Sequence, residues 1–380
     1  MKQKIWLLIA GTGLAILVVG IVFTIIVYKQ IVVKPNRVIT NPLVSPTATP
    51  TPDPLAPYAF LLMGYGGGGH EGGLLTDSMM VVRIEPRNQK IIMISIPRDL
   101  WVPIPITGET SVNSKINAAY AIGIDDKKYP DKQIEFTGKA GGGELAKVVV
   151  EKVVGFKIDH FAALDFNGFV KTIDILGGID IKIERTFEDP LYPIENNIGI
   201  GNSDTCGKPN EEIAALTATM SGDKLEAQFK CRYETLHFDK GVQHMDGITA
   251  LKFARSRHSL TEGGDFNRAS RQRQVIMAVK DKVINIGFIT KIIPTINTLS
   301  RNLTTDIDAT KMNELLNSAL DLAKYKVIPV ALTDKNVLKN AVSEGGQYIL
   351  IPRIGENNWT EVQQFILEPT MLTPTLMISN

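Results

Sequence analysis

The sequence predicts an α/β domain built on a mixed sheet, carried behind one N-terminal membrane span. Three observations predict it. From Tyr58 onward, apolar runs of strand length alternate with segments of helical period. One strand shows strict alternation, with Ile179, Ile181 and Ile183 set against Asp180, Lys182 and Glu184. Residues 5–28 contain no charged side chain, and about 20 apolar residues suffice to cross a bilayer core.

The elements follow in order. Residues 60–63 form a short apolar run ending at Gly64. Two β-branched and apolar runs, 79–84 and 91–96, are separated by Pro86, Arg87, Asn88 and Gln89, a turn signal. Residues 143–154 read as a helix, with Leu145, Val148, Val149 and Val153 on one face. A strand at 161–164 precedes a helix carrying Phe169, Ile173 and Leu176, which Gly177 and Gly178 stop. Met312, Leu315, Leu316, Ala319 and Ala323 form a later helical stripe. Strands at 327–330 and 348–351 and a closing helix at 359–366 complete the pattern. Residues 186–235 are polar and read as an irregular insertion or long loop. There is no apparent internal repeat.

Composition narrows the function classes. The chain has 380 residues, 44% hydrophobic and 21% charged, a globular balance rather than a disordered one. Lys plus Arg total 41 against 40 Asp plus Glu, so the net charge is +1 and no global field collects nucleic acid. Any anion site must be a local cluster of basic residues.

The domain plan is a short tail at 1–4, the span at 5–28, a stalk at 29–57 and a folded domain at 58–380 with its core at 58–290. The span is too long for the h-region of a cleaved signal, about 7–15 residues, and no small-x-small site closes it. Basic residues flank it almost evenly, Lys2 and Lys4 before and Lys29, Lys34 and Arg37 after. Four residues cannot hold a soluble domain, so all function is expected to follow the span; a membrane-bound transcription regulator is the weakest rival, since a four-residue tail cannot reach DNA. The stalk interleaves Pro42, Pro46, Pro50, Pro52, Pro54 and Pro57 with Thr47, Thr49 and Thr51, which favours extended polyproline geometry. Cys206 and Cys231 are the chain's two cysteines. An oxidising compartment permits a disulfide between them, two buried free thiols being the alternative.

Two clusters carry chemistry. If 79–84 and 91–96 pair through the turn, Asp77 lies opposite Arg98 with Asp99 beside it. Carboxylates so placed suit a hard divalent cation that completes its shell with phosphate oxygens, although a surface ion pair capping the hairpin fits the same residues. The second cluster is denser. Asp246 is placed to cap a helix ending at Arg255 and Arg257; a polar loop with Gly263, Gly264 and Asp265 follows; a second helix starts near Arg268. On that helix Arg268, Arg271, Gln272 and Val275 share a face, and Arg273 points elsewhere. Four arginines and no lysine, apart from a solvated basic face, suit bidentate recognition of phosphate oxygens. Lys115, before a short helix into Tyr120, offers a point charge. The run from Gly64 to Gly69 lacks the Lys-Ser/Thr ending of a phosphate loop, and its neighbour His70 reads as an exposed loop residue outside the site. No Gly-x-Ser-x-Gly elbow or His-Glu-x-x-His pair occurs.

The ordered motifs Thr76-Asp77-Ser78-Met79-Met80, Ser95-Ile96-Pro97-Arg98-Asp99, Lys115-Ile116-Asn117-Ala118-Ala119-Tyr120, Ala254-Arg255-Ser256-Arg257-His258 and Gly264-Asp265-Phe266-Asn267-Arg268 with Arg271-Gln272 resemble the LytR-CpsA-Psr family of bacterial cell-envelope proteins. The resemblance covers residues 58–283. It implies a three-layer αβα sandwich enclosing a lipid channel. It also implies a transferase that moves a glycan, of teichoic acid or capsule type, from a polyprenyl-pyrophosphate carrier to peptidoglycan as a phosphodiester. By position it implies Mg²⁺ (or Mn²⁺) on Asp77 and Asp99. It places the pyrophosphate on Arg98, Lys115, Arg255, Arg257, Arg268, Gln272 and their neighbour Arg271. Asp265 would orient the arginines or help activate the acceptor hydroxyl. Two positions depart from the family pattern: Leu75 stands where an arginine is common, and Tyr65 where an acidic residue is common. The implied place is the outer face of a cell membrane. Two further rivals are a polyprenyl-pyrophosphate hydrolase, which would use the same residues with water as acceptor, and a non-catalytic envelope-binding protein, which would keep the arginines but need no metal.

Overall fold

The computed structural model describes residues 31–36, 53, 55–68, 72–194, 205–285, 302–308, 310–312, 314–315 and 324–368, with the side chains of 223, 265 and 283–285 excepted. The apolar run 5–28, most of the stretch 37–57, His70, and Leu316, Ala319 and Ala323 of the late helical stripe lie outside the described residues. Among the described residues no helix is long and apolar enough to cross a membrane.

A six-stranded mixed sheet organises the domain, in the order β11-β6-β1-β2-β3-β12. The strands are β1 (Tyr58–Tyr65), β2 (Thr76–Glu85), β3 (Lys90–Ile96), β6 (His160–Asp165), β11 (Leu303–Thr305) and β12 (Lys326–Ala331). β1, β2 and β3 form an antiparallel meander, while β6 and β12 add in parallel to β1 and β3. The turn after β2 is a single 3₁₀ turn over Pro86–Asn88, closed by Gln89 at φ 48°. It fixes the pairing Met79↔Ile96 and Glu85↔Lys90.

Helices pack on both faces, and the period-2 alternation of β1 decides which residue meets which. Ala59, Leu61, Met63 and Tyr65 face a core shared with α1 (Ala118–Ile124), α2 (Gly138–Val154) and α7 (Thr360–Leu367). Tyr58, Phe60 and Leu62 face the other way, against Ile276 and Met277 of α6 (Gly264–Asn285). α2 begins five residues before the expected start, because its glycines serve packing. A Cβ at Gly143 would sit 2.2 Å from the Phe161 ring of β6. Two-stranded ribbons, β4 (Trp101–Pro105) with β5 (Ser111–Lys115) and β13 (Leu338–Val342) with β14 (Tyr348–Pro352), extend this side.

A second core joins α3 (Phe166–Ile175), α5 (Gly247–Arg255) and α6 to the ribbons β7 (Ile179–Ile183) with β10 (Gly241–Met245) and β8 (Phe187–Pro193) with β9 (Tyr233–Phe238). The stretch 186–235 is therefore not irregular throughout. Its ends pair as β8 and β9, it carries the helix α4 (Asn210–Thr219), and Phe187 and Tyr192 within it are buried, as are Leu236 and Phe238 where β9 runs on past it. Cys206 and Cys231 are joined by a disulfide, with Cα atoms 5.6 Å apart.

The stretch expected as a stalk begins as part of the domain. Val32 bridges Thr305 of β11, the Val33 amide donates to the Thr305 carbonyl at 2.9 Å, and Ile31 and Val33 are buried. β11 itself is pinned by Asp306, which accepts from the Phe161 amide (2.7 Å) and from Lys147 (2.9 Å). Burial alone would push the Asp306 carboxyl up, but His160 at 3.5 Å, Lys147 and the Phe161 amide outweigh it and hold the group below its ordinary value. A depressed carboxylate stabilises the fold above its unfolded pKa, about 3.9, and that contribution is lost as pH falls through the folded value. Asp306→Asn is thus expected to lower the urea midpoint at pH 7, and the gap to the unaltered protein should close below about pH 4. A gap of constant size from pH 7 to pH 3 would contradict this.

Candidate functional site

The sheet end formed by the close of β1, the start of β2 and the close of β3 collects the first cluster. Gly64 pairs with Ser78, and Met79 with Ile96, so Asp77 and Arg98 are brought side by side. Arg98 Nη1 donates to Asp77 Oδ1 at 2.6 Å, and its Nε lies 3.6 Å from Asp99 Oδ2. Lys115, at the end of β5, donates to Asp99 Oδ1 at 2.6 Å. The result is a chain of alternating charge, Asp77–Arg98–Asp99–Lys115.

The second cluster comes from α5 and α6. Asp246 caps α5 by accepting from the Thr249 amide at 2.8 Å, and Asp174 accepts from the Gly247 amide at 2.8 Å. α5 lies so close to α3 that a Cβ at Gly247 would fall 2.2 Å from the Val170 carbonyl oxygen. This contact aims the C-terminal end of α5, with Arg255, over the sheet end. The Arg255 guanidinium lies 4.3 Å from the centre of the Phe166 ring and donates to the Tyr192 hydroxyl at 3.3 Å. α6 starts at Gly264, four residues before the expected start, and presents Arg268 and Gln272 on the same side as Val275 and Ile276. Gln272 Oε1 accepts from Ser78 at 3.2 Å and so ties α6 to β2.

Between the sheet face and α3, α5 and α6 lies a cavity of about 550 Å³. Its walls are apolar along most of their length, with Leu62, Met80, Leu164, Phe169, Leu251 and Val279. At one end they give way to Asp77, Arg98, Arg255, Arg257, Arg268 and Gln272. Four guanidinium groups therefore line the same space as a long apolar trough. Such a space suits a ligand with an anionic head and a hydrocarbon tail.

Not every residue named from the sequence reaches this space. Asp99 and Lys115 belong to the ion-pair chain, and neither lines the cavity. Arg271 is corrected outright. It is buried on the far side of α6, where it donates to the carbonyls of Glu262 (2.8 Å) and Ser256, and burial pushes its pKa down to about 10. The shared face read from its spacing fails because Arg271 and Arg268 lie three positions apart, about 60° around the helix, and the cavity takes only the Arg268–Gln272 edge. Asp265 sits in the first turn of α6, and its side chain lies outside the described residues. Leu75 is half-buried in the turn before β2, and Tyr65 is turned to the opposite core, its ring 5.2 Å from that of Tyr120.

Sequence reasoning missed three residues. Phe166 and Tyr192 hold Arg255. Asp189, fully buried, holds the turn that follows α5. Its Oδ2 accepts from the Ser256 hydroxyl (2.7 Å), the Arg257 amide (2.8 Å) and the His258 amide (3.1 Å), and its Oδ1 from the Leu191 amide (3.1 Å). One signal was present. Asp189 shares the strand phase of the apolar Phe187, and an acid on the buried phase of a strand needs partners.

The profile of the LytR_cpsA_psr family matches residues 36–358. A teichoic acid transferase of Oceanobacillus iheyensis, named polyisoprenyl-teichoic acid–peptidoglycan teichoic acid transferase TagU, is 28% identical over 64% of this chain and 57% of its own length. The corresponding transferase TagV of Bacillus subtilis is 28% identical over 74% of this chain and 58% of its own length. The chain thus spans less than three-fifths of each of these relatives. The crystal structure of B. subtilis TagV aligns over 84% of this chain and 99% of that one, with a TM-score of 0.51 and 24% identity. At that level the shared feature is the mixed α/β fold.

Proposed function

Because this chain belongs to the LytR_cpsA_psr family, we propose that it is a membrane-anchored, extracytoplasmic phosphotransferase. It would take a glycan from a polyprenyl-pyrophosphate carrier and join it to peptidoglycan as a phosphodiester. The supporting observation is the cavity, an apolar trough that ends in Asp77, Arg98, Arg255, Arg257, Arg268 and Gln272. The polyprenyl tail lies along the trough, in the manner of the lipid channel the three-layer family fold implies, and the diphosphate meets the arginines. The anchor is the run 5–28, and an oxidising outer compartment agrees with the Cys206–Cys231 disulfide.

Transfer from a diphosphate needs charge neutralised on its oxygens and the leaving phosphate held in line. Arg255, Arg257 and Arg268 supply planar donors for those oxygens, and Arg98 joins them from the sheet. Asp77 and Asp99 are the hard oxygen donors that would hold a divalent cation. The cation would have to displace the Arg98 and Lys115 ion pairs that now neutralise them. Mg²⁺ commonly takes one or two carboxylates and leaves its other positions to phosphate. When bound, Mg²⁺ would add positive charge at the diphosphate oxygens. The Asp77–Arg98 pair keeps the side chains ordered at the cavity end, and the apolar walls exclude water from the tail.

The test uses the purified full-length protein with a lipid-pyrophosphate-linked glycan. Glycan is expected to appear on peptidoglycan, with loss of at least about tenfold in rate on chelation of divalent cations. Equal release of free glycan phosphate with and without peptidoglycan would favour the hydrolase. Tight binding without turnover, unaffected by chelation, would leave only a binding protein.

A further inference from the structure

The segment that follows the apolar run is built into the edge of the sheet, which decides where the domain sits. The last residue of the run is Tyr28, and Ile31, three positions on, is already buried in the domain. Val32 and Val33 pair with Thr305, itself buried, its hydroxyl bound to the Phe161 carbonyl at 2.5 Å. Asn36 then donates to Thr137, just before α2, at 3.0 Å. Three residues reach at most about 11 Å. The Pro/Thr stretch 37–57, as an extended spacer at about 3.1 Å per residue, would reach about 65 Å. It lies after the docked segment, however, and so joins Asn36 to β1 rather than the span to the domain.

We propose that the β11 edge of the domain is seated on the bilayer, with lipid headgroups as its partner, and that 37–57 is a return loop. The inference rests on the reading of 5–28 as a span. The charge of the edge agrees with it. Lys34 and Lys171 are exposed there, and Lys171 donates to Asn302 beside β11 at 3.2 Å. Such lysines suit the anionic headgroups of a membrane surface. The seated edge also carries a wall of the cavity, since Leu303 of β11 and Ala162 and Leu164 of β6 line it. A polyprenyl tail would then enter from the bilayer at this wall, without a passage through water.

The test places one reporter on each edge of the sheet. β11 and β12 are five strand spacings apart, about 24 Å. The native cysteines are paired, so a thiol introduced as Lys171→Cys or Lys326→Cys is the one that takes a fluorophore. The full-length protein is placed in vesicles of mixed neutral and anionic phospholipid carrying a headgroup quencher. Quenching at position 171 should exceed that at 326 severalfold. A twelve-residue Gly/Ser insertion after Gln30 should abolish the difference, and the same insertion after Thr47 should leave it intact. Equal quenching at both positions, or loss of the difference only with the Thr47 insertion, would overturn the seating and restore the spacer. Release of the protein from vesicles by an alkaline wash would overturn the anchor reading together with the seating. Neither readout depends on glycan transfer, so a failure of the transferase reading is seen separately.

Discussion

Arg255→Ala is expected to slow glycan transfer by at least about a hundredfold, equivalent to about 2.7 kcal/mol of transition-state stabilisation, the loss seen when one donor to a developing anion is removed. The side chain stands at the polar end of the cavity, held by the Phe166 ring at 4.3 Å and the Tyr192 hydroxyl at 3.3 Å. These contacts fix its fork before any ligand arrives, so little ordering entropy opposes binding. Their loss costs the fold about 2–3 kcal/mol, since one is a hydrogen bond from a charged donor and the other a partly exposed cation–π contact. The melting temperature should therefore move by several degrees. Arg255→Lys keeps the charge but loses the fork and the flat stacking surface, and should recover at most about a tenth of the lost rate. A fall in kcat and kcat/KM together would assign Arg255 to the transition state, and a rise in KM alone to ground-state binding. Transfer within threefold of the unaltered protein would remove Arg255 from the site.

The parts of this structure that were legible in the sequence are those governed by short-range rules. The hairpin of β2 and β3 follows from two apolar runs and a turn, and its register alone sets Asp77 against Arg98. The cap on α5 follows from Asp246 standing before a helical run. β7 follows from its strict alternation, seen as buried and exposed residues in turn. What was not legible depends on distant chain. The first five residues of α2 were not legible, because the glycines at that end of the helix are explained only by the Phe161 ring and the close approach of α1. Arg271 looked like a member of the anion cluster because spacing assigns a face only coarsely; the carbonyls of Ser256 and Glu262 claim it instead. The segment 31–36 looked like the start of a stalk, since nothing local marks Val33 as the partner of a residue 272 positions later. β8 and β9 were hidden because most of the chain between them is polar, and their pairing bridges it.

Asp189 carries the second large expectation, because it lies under the turn that presents Arg257. Three donors from consecutive residues, Ser256, Arg257 and His258, converge on its Oδ2, and the carboxylate is fully buried. Asp189→Ala leaves a hydroxyl and three amides without an acceptor in a dry place, a cost of about 3–5 kcal/mol. The melting temperature should fall by about 5–15 °C. Asp189→Asn is the more informative change, since it keeps the shape and one carbonyl oxygen. Its amide, however, cannot present acceptors both to Leu191 and to the cluster at 256–258. The turn should then shift, and a displacement of the order of 1 Å in a diphosphate clamp can cost up to about a hundredfold in rate. The measurement that separates positioning from mere stability is transfer per folded molecule, taken well below the melting temperature of the variant. A positioning role predicts a fall of about tenfold or more there, with KM and kcat both affected. Unchanged turnover per folded molecule, with only a lower melting temperature, would reduce Asp189 to a residue of the fold and leave the placing of Arg257 to the end of α5 alone.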